Sequence, residues 1–87
     1  MTKSYYETLS SENQDIVSTL PVLMQGSEGI YVKVLQTLIV VNLNFEFDID
    51  GEYGYLTKNA VRVWQEYSGL GPTGIVDKET WSSFFAK

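Results

Sequence analysis

Two short stretches of the chain share one spacing of glycine, threonine and helix-capping residues. Residues 51–57 run Gly-x-x-Gly-x-x-Thr, and residues 74–80 run Gly-x-x-Asp-x-x-Thr. Glycine adopts left-handed backbone conformations at little cost, and both Gly and Asp are accepted at the N-cap of a helix. Each stretch therefore predicts a tight loop that leads directly into a helix. The repeat constrains the chain to helices joined at these two loops.

The first long helix is predicted from Glu28 to Leu43. Ser27 is placed to cap its first N–H groups. Asn44 is placed to end it in the left-handed conformation, for which Asn ranks after Gly. A β-branched run over residues 39–41 would permit a strand by propensity alone. The longer helical pattern favours a helix, because apolar side chains recur at helical spacing at Val32, Leu35, Leu38 and Ile39.

Two further helices follow the two loops. The second is predicted from Tyr55 to Ser68, with Gly54 as its N-cap and Gly69 as the glycine that ends it. The third begins after Asp77. We expect Asp77 to cap it from an extended backbone, because only Gly adopts positive φ cheaply. The predicted core consists of Leu35, Leu38, Ile49, Ala60, Val61, Trp64, Leu70, Ile75, Trp81 and Phe84.

Shorter features surround these helices. Residues 1–19 are polar and are predicted to form an N-terminal arm with a short extra helix starting near Ser11, whereas residues 20–87 form the domain. Residues 45–49 alternate apolar and acidic side chains, which predicts an extended segment with one apolar face. The fold class predicted for the whole chain is all-α: a compact three-helix bundle with two Gly-containing loops.

Composition limits what the chain can do. Its 87 residues leave room for one small domain. The absence of Cys excludes disulfides and thiolate metal sites, and the absence of His removes the commonest general base and metal ligand. A net charge of -5 argues against binding to nucleic acid or to an anionic membrane surface.

The acidic stretch over residues 46–51 partly matches a calcium-binding loop. Such a loop needs a bidentate carboxylate at its twelfth position, where this chain has Thr57. It also begins with Asp, where this chain has Glu46. Alternate carboxylates on one exposed segment do not face each other across a cleft, as glycosidases require. We therefore predict no metal, no cofactor and no enzymatic activity.

A series of short motifs runs in a fixed order from Leu20 to Trp81. Its members include Leu35-Gln36, Asp50-Gly51, Tyr53-Gly54, Trp64-Gln65, Gly69-Leu70, Thr73-Gly74 and Thr80-Trp81. In order and spacing, the series resembles the small three-helix peptidoglycan-binding domain that is appended to bacterial cell-wall hydrolases. The resemblance implies a shallow groove near the glycine loops. The chain has Thr73 where this family usually has Asp, so we expect a weaker hydrogen bond in the second loop. It has Asp77 where the family usually has Gly, which is well tolerated because Asp is a favoured N-cap residue.

The candidate ligand-binding residues carry chemistry that suits sugars and peptides at a wet surface. A tyrosine offers an apolar face and a hydroxyl group, and a glutamine amide can hydrogen-bond ligand amides. The candidates are Tyr31, Gln36, Asp50, Glu52, Tyr53, Tyr55 and Gln65. Two alternatives stay open: the tyrosines pack over the small core, and the glutamines hydrogen-bond the backbone of a nearby loop. By the resemblance, Tyr53 matches an aromatic residue that helps to seat the glycine loop.

The resulting hypothesis is a non-catalytic module that binds bacterial cell-wall peptidoglycan, through its glycan or its stem peptide, and tethers or targets a protein to the wall. The alternative is a protein-interaction module on the same fold, or a domain that has lost its ligand. We expect a monomer that does not insert into a membrane. The sequence shows no secretory signal. We therefore expect the chain to act in the cell envelope or outside the cell if it is part of a longer exported protein. Otherwise we expect it to act in the cytoplasm.

Overall fold

The computed structural model describes residues 4–86, which contain five α-helices. They are α1 (Tyr5–Thr8), α2 (Ser11–Ser18), α3 (Ile30–Leu43), α4 (Tyr55–Tyr67) and α5 (Lys78–Phe85). Within those residues there are no β-strands, and isolated antiparallel bridges link Leu23 to Val76 and Glu28 to Glu52. The predicted all-α class is confirmed. Among residues 4–86, no helix has the length and the apolar character needed to cross a membrane.

Local sequence signals set most of the helix ends. Asn44 ends α3 in the left-handed conformation, with φ 57°, and Gly54 is the N-cap of α4. Asp77 caps α5 from extended backbone at φ -99°, and its carboxylate accepts a hydrogen bond from the Thr80 N–H at 2.9 Å. These cap predictions are confirmed, because each depends on residues that are close in sequence.

The start of α3 differs from the prediction. Gly29, not Ser27, is its N-cap, and φ at Gly29 is 117°, a conformation that favours glycine. The Ser27 hydroxyl instead accepts a hydrogen bond from the Met24 N–H at 3.0 Å. Ser side chains often bond to nearby backbone in this way, in competition with helix capping. Ser27 therefore closes a turn that precedes the helix.

The core draws side chains from α2, α3, α4 and α5 and from the segments between them. Most of its predicted residues are confirmed. Ile49 and Ile75 are corrections, because their side chains are 43% and 40% exposed. Val76, the neighbour of Ile75, is buried and exchanges main-chain hydrogen bonds with Leu23. Adjacent residues in such a bridge point to opposite sides, so only one of the two side chains can face the core. The predicted residues that are buried are Leu35, Ala60, Val61, Trp64, Trp81 and Phe84, and Leu38 and Leu70 are partly buried.

The segment between α3 and the first loop shows the predicted alternation over part of its length. Phe45 and Phe47 are half-buried and pack against the core, whereas Glu46 and Asp48 are exposed. The alternation ends at Ile49, where the chain enters the first loop. Residues 45–49 form neither helix nor strand.

The two N-terminal helices, α1 and α2, lie within residues 4–18 and pack against α5. The sequence predicted one short helix here, and the structure has two. Ser4 and Ser10 cap them, each by accepting a hydrogen bond from an N–H three residues later. The Lys78 ammonium group lies 4.1 Å from the centre of the Tyr6 ring, which adds a cation–π contact between α1 and α5. Val17 of α2 is buried in the same core.

Candidate functional site

One glutamine side chain on α3 holds the first glycine loop. Gln36 is 1% exposed, and its Oε1 accepts a hydrogen bond from the Gly51 N–H at 3.0 Å. Its Nε2 donates to the Glu52 carbonyl and to Asp50 Oδ1, both at 3.1 Å. Thr57 Oγ1 on α4 also lies 3.1 Å from Nε2. The amide therefore fixes the loop to two helices at once.

A second glutamine, on α4, holds the second loop by the same set of contacts. Gln65 Oε1 accepts from the Gly74 N–H at 2.9 Å, and its Nε2 donates to the Ile75 carbonyl at 2.9 Å and to Thr80 Oγ1 at 3.1 Å. Thr73 Oγ1 stands in the place of the first loop's carboxylate and lies 3.3 Å from Nε2. This longer contact agrees with the weaker hydrogen bond expected there. The two halves of the domain share one loop architecture.

Glycine is required at equivalent positions of both loops. Gly51 and Gly74 have φ of 78° and 75°, which other residues adopt only at a cost. A Cβ atom on Gly51 would lie 3.2 Å from the Gly29 carbonyl oxygen, and one on Gly74 would lie 2.9 Å from Lys58 Cγ. The backbone of each loop can approach its helix this closely only because no side chain intervenes.

Tyr53 joins the two loops. Its side chain is buried, and its hydroxyl donates a hydrogen bond to the Gly74 carbonyl at 2.5 Å. Burial raises the pKa of Tyr53 above the ordinary tyrosine value of 10.0. Its N–H donates to the Ser27 carbonyl at 2.9 Å. Tyr53 therefore has the core-packing role that the sequence left as an alternative, and it seats both loops.

A groove of about 240 Å³, here called the loop groove, opens beside the first loop. One part of its lining is acidic, at Asp48, Asp50 and Glu52, and another is aromatic or apolar, at Phe47, Tyr55 and Leu56. The hydrogen bond from the Glu52 N–H, followed by that from Gln36, lowers the pKa of Asp50 below its usual 3.8, so this carboxylate is ionised at neutral pH. Among residues 4–86, no group of three or more His, Cys, Asp and Glu residues is placed to hold a metal ion.

A second groove of about 390 Å³, here called the apolar groove, continues from the loop groove. Phe47 and Leu56 line both grooves. Its remaining lining comes from the segment after α3 and from one side of α4. These residues are Phe45, Glu46, Asn59, Ala60 and Val63.

The structure places some of the candidate residues at the loop groove and the others away from it. Gln36, Asp50, Glu52 and Tyr55 all line the loop groove. Tyr53 and Gln65 are buried within the domain, and Tyr31 is exposed on α3, away from the lining of this groove. Both glutamines make the loop hydrogen bonds that the sequence left as an alternative. The candidate list omitted five lining residues: Phe47, Asp48, Gly54, Leu56 and Thr57. The alternating pattern had marked Phe47 as apolar, whereas Leu56 has no distinguishing signal.

Fold and site together define a class of protein, a small helical binding module in which two glutamine-held glycine loops shape a surface groove. The chain belongs to the putative peptidoglycan binding domain family, whose model matches residues 29–83. This match covers α3, α4, most of α5 and both loops. The two N-terminal helices lie outside it.

Similar proteins support the same assignment. An uncharacterized protein in the bpoA1 3' region of Kitasatospora aureofaciens is 40% identical over 63 residues, which is 71% of this chain and 53% of that protein. The crystal structure of the Burkholderia AP3 phage endolysin is similar with a TM-score of 0.70 and 34% identity, over 74% of this chain and 24% of that one. A peptidoglycan-binding protein from Clostridioides difficile, solved in complex with glutamine hydroxamate, has a TM-score of 0.71 and 33% identity, over 76% of this chain and 41% of that one. The chain thus spans 53% or less of the length of these relatives.

Proposed function

We infer that this chain is a binding module for bacterial cell-wall peptidoglycan, and that the loop groove is where it contacts the wall. Membership of the family supports the choice of peptidoglycan. The observation that carries the location is the hydrogen bonding of Gln36, which holds the first loop against α3 and α4. Because of that restraint, Asp50, Glu52 and Tyr55 line one groove on a rigid support, as a binding loop requires.

The chemistry of the loop groove suits a ligand that carries hydroxyl, amide and amino groups next to apolar faces. Carboxylates such as Asp50 accept hydrogen bonds from such donors, and the exposed ring of Tyr55 offers a face for sugar or peptide contact. The chain has a net charge of -5, and peptidoglycan also carries carboxylates, so long-range attraction is not expected. Affinity would then come from short-range contacts and be about micromolar or weaker.

In this proposal the module binds and does not catalyse. Glycoside hydrolysis requires one carboxylic acid with a raised pKa, whereas the hydrogen bond from the Glu52 N–H lowers the pKa of Asp50. The module would instead hold a larger protein at the cell wall. The similar solved structures fit this role, since one is described as an endolysin and the other as a peptidoglycan-binding protein.

An NMR titration with soluble muropeptides tests the proposed location. The amide signals of Asp50, Glu52 and Tyr55 should shift with a common dissociation constant. The equivalent amide in the second loop, that of Ile75, should stay in place and serves as an internal control. Shifts centred on the second loop or on α2 would show that the site has been placed wrongly.

A further inference from the structure

The two halves of the domain carry equivalent grooves. The apolar groove of the first half is lined by Phe45, Phe47 and Val63, among others. A groove of about 460 Å³ lies in the second half. The shift in sequence that takes Gly51 to Gly74 also takes those three residues, in order, to Ser68, Leu70 and Ala86. All three of these line the second-half groove. The internal repeat therefore extends beyond the loops to the surface beside them.

In the second half, a peptide segment of the chain itself covers the groove. Residues 4–8, which include α1, form its outer wall. The Tyr5 N–H donates a hydrogen bond to the Glu79 carboxylate, and the Tyr5 hydroxyl donates to the Ser68 carbonyl. This half of the domain thus shows such a groove walled by a short peptide segment, whose tyrosine hydroxyl donates to a main-chain carbonyl at the groove edge.

In the first half, no segment among residues 4–86 covers the equivalent groove in this way, and the main chain at its edge is unpaired. Within the described part of the chain, the N–H and C=O groups of residues 45–49 form no hydrogen bond to another residue. Phe45, whose carbonyl corresponds to that of Ser68, belongs to this segment. Leu56 occupies the position that corresponds to Glu79 and is 70% exposed. The groove therefore offers main-chain partners together with an apolar wall.

These features favour a peptide over a glycan as the occupant. In one common mode of peptide recognition, main-chain hydrogen bonds to an extended peptide give affinity and neighbouring side-chain pockets give specificity. A sugar ring would bring several hydroxyl groups against Phe47, Leu56 and Val63. These apolar side chains offer such hydroxyl groups no hydrogen-bond partner.

We propose that the apolar groove binds the stem peptide of peptidoglycan. The peptide pairs with the main chain of residues 45–49 and places an alanyl methyl group against Leu56 and Val63. This inference rests on the function proposed above and deepens it. It names the stem peptide, rather than the glycan, as the part of the wall that the apolar groove recognises.

The test uses two soluble probes and a matched pair of variants. The probes are a free stem tetrapeptide, which contains no sugar, and a chitotetraose, which contains no peptide. Val63→Arg places a long charged side chain at the apolar groove, where Val63 is 46% exposed. Val41→Arg makes the same change on α3, where Val41 is 73% exposed and lines neither groove. Calorimetric titration should show tetrapeptide binding that weakens at least about tenfold in Val63→Arg and is unchanged in Val41→Arg.

Pelleting with insoluble sacculi separates failure of this inference from failure of the proposed function. If the tetrapeptide binds Val63→Arg as well as the parent chain, or if only chitotetraose binds, the stem-peptide assignment is wrong. If sacculi pellet the parent chain but the tetrapeptide does not bind, the assignment fails while the proposed function stands. If the parent chain does not pellet with sacculi, both the stem-peptide assignment and the proposed function are wrong.

Discussion

Replacing Gln36 with Met should release the first loop and weaken both folding and ligand binding. Met is close to Gln in length and fills the same buried space, so the change removes hydrogen bonds with little loss of packing. The contacts to the Gly51 N–H, the Glu52 carbonyl and Thr57 Oγ1 are lost. Asp50 is exposed and can bond to water instead.

The size of the effect follows from these three contacts. Each intramolecular hydrogen bond contributes about 1 kcal/mol net, so the expected loss is about 3 kcal/mol. A chain of 87 residues is stable by roughly 4–13 kcal/mol in total. The loss is therefore a large fraction of the stability, and it corresponds to a fall in Tm of about 12–24 °C.

Gln65→Met is the matched control. Gln65 makes the same contacts to the second loop, through Gly74, Ile75 and Thr80, so it should lose a similar free energy of unfolding. The second loop does not line the loop groove. Ligand affinity, measured at a temperature where both variants are folded, should fall about tenfold or more in Gln36→Met and stay unchanged in Gln65→Met.

Urea unfolding, monitored by tryptophan fluorescence, measures the free energy of unfolding. Calorimetric titration with muropeptides measures the ligand affinity. A stability loss below about 1 kcal/mol in Gln36→Met would show that its hydrogen bonds do not hold the loop. Equal losses of affinity in the two variants would show that the effect on binding reflects general destabilisation.

Three further changes test separate parts of the fold. Trp64→Ala should lose about 3–5 kcal/mol in urea unfolding, because Trp64 is only 5% exposed. Tyr67→Ala on the same helix, where the ring is 79% exposed and its centre lies 5.7 Å from that of Trp64, should lose only about 0.5–1.5 kcal/mol. Asp77→Ala should lose about 1 kcal/mol with the α5 cap, and a thermal melt that does not change would reject that cap. Burial raises the pKa of Tyr53, so its contribution to stability is complete below pH 10.0 and falls as the pH rises through the folded-state pKa. In an absorbance titration, one of the six tyrosines should therefore ionise well above the others, and ionisation of all six together would contradict its burial.

Elements set by neighbouring residues were predictable from the sequence. Asn44, Gly54 and Asp77 cap their helices as expected, because capping depends on the conformational preference and the side chain of the cap residue itself. The repeated loop pattern was visible for the same reason, and its equivalence in space follows from equivalent hydrogen bonds by Gln36 and Gln65.

Features set by distant contacts were not predictable. Ser27 is a local exception: it matches an N-cap by type, yet its hydroxyl accepts a hydrogen bond from the Met24 N–H only three residues away. The pattern around Ile75 did not reveal which of two adjacent apolar residues faces inward, because that depends on the bridge from Val76 to Leu23. The cover that α1 provides over the second-half groove joins residues at opposite ends of the chain, as in the bond from Tyr5 to Glu79.

For the candidate site, the residue types were predictable from the sequence, whereas their placement inside or outside the groove was not. Asp50, Glu52 and Tyr55 line the loop groove as a group, since they flank one glycine loop. Tyr53 lies between Glu52 and Tyr55 in sequence but turns inward to the Gly74 carbonyl. Their role in ligand binding is a prediction that the titration experiments test.

Co-sedimentation of the purified chain with insoluble peptidoglycan sacculi, at low and at high salt, tests the proposed function most directly. Because binding should rest on short-range contacts rather than on long-range charge, we expect saturable pelleting that persists at high salt. Gln36→Met should pellet less than Gln65→Met at the same concentration. Absence of saturable pelleting, or pelleting that is lost as salt screens charge, would contradict specific recognition of the wall.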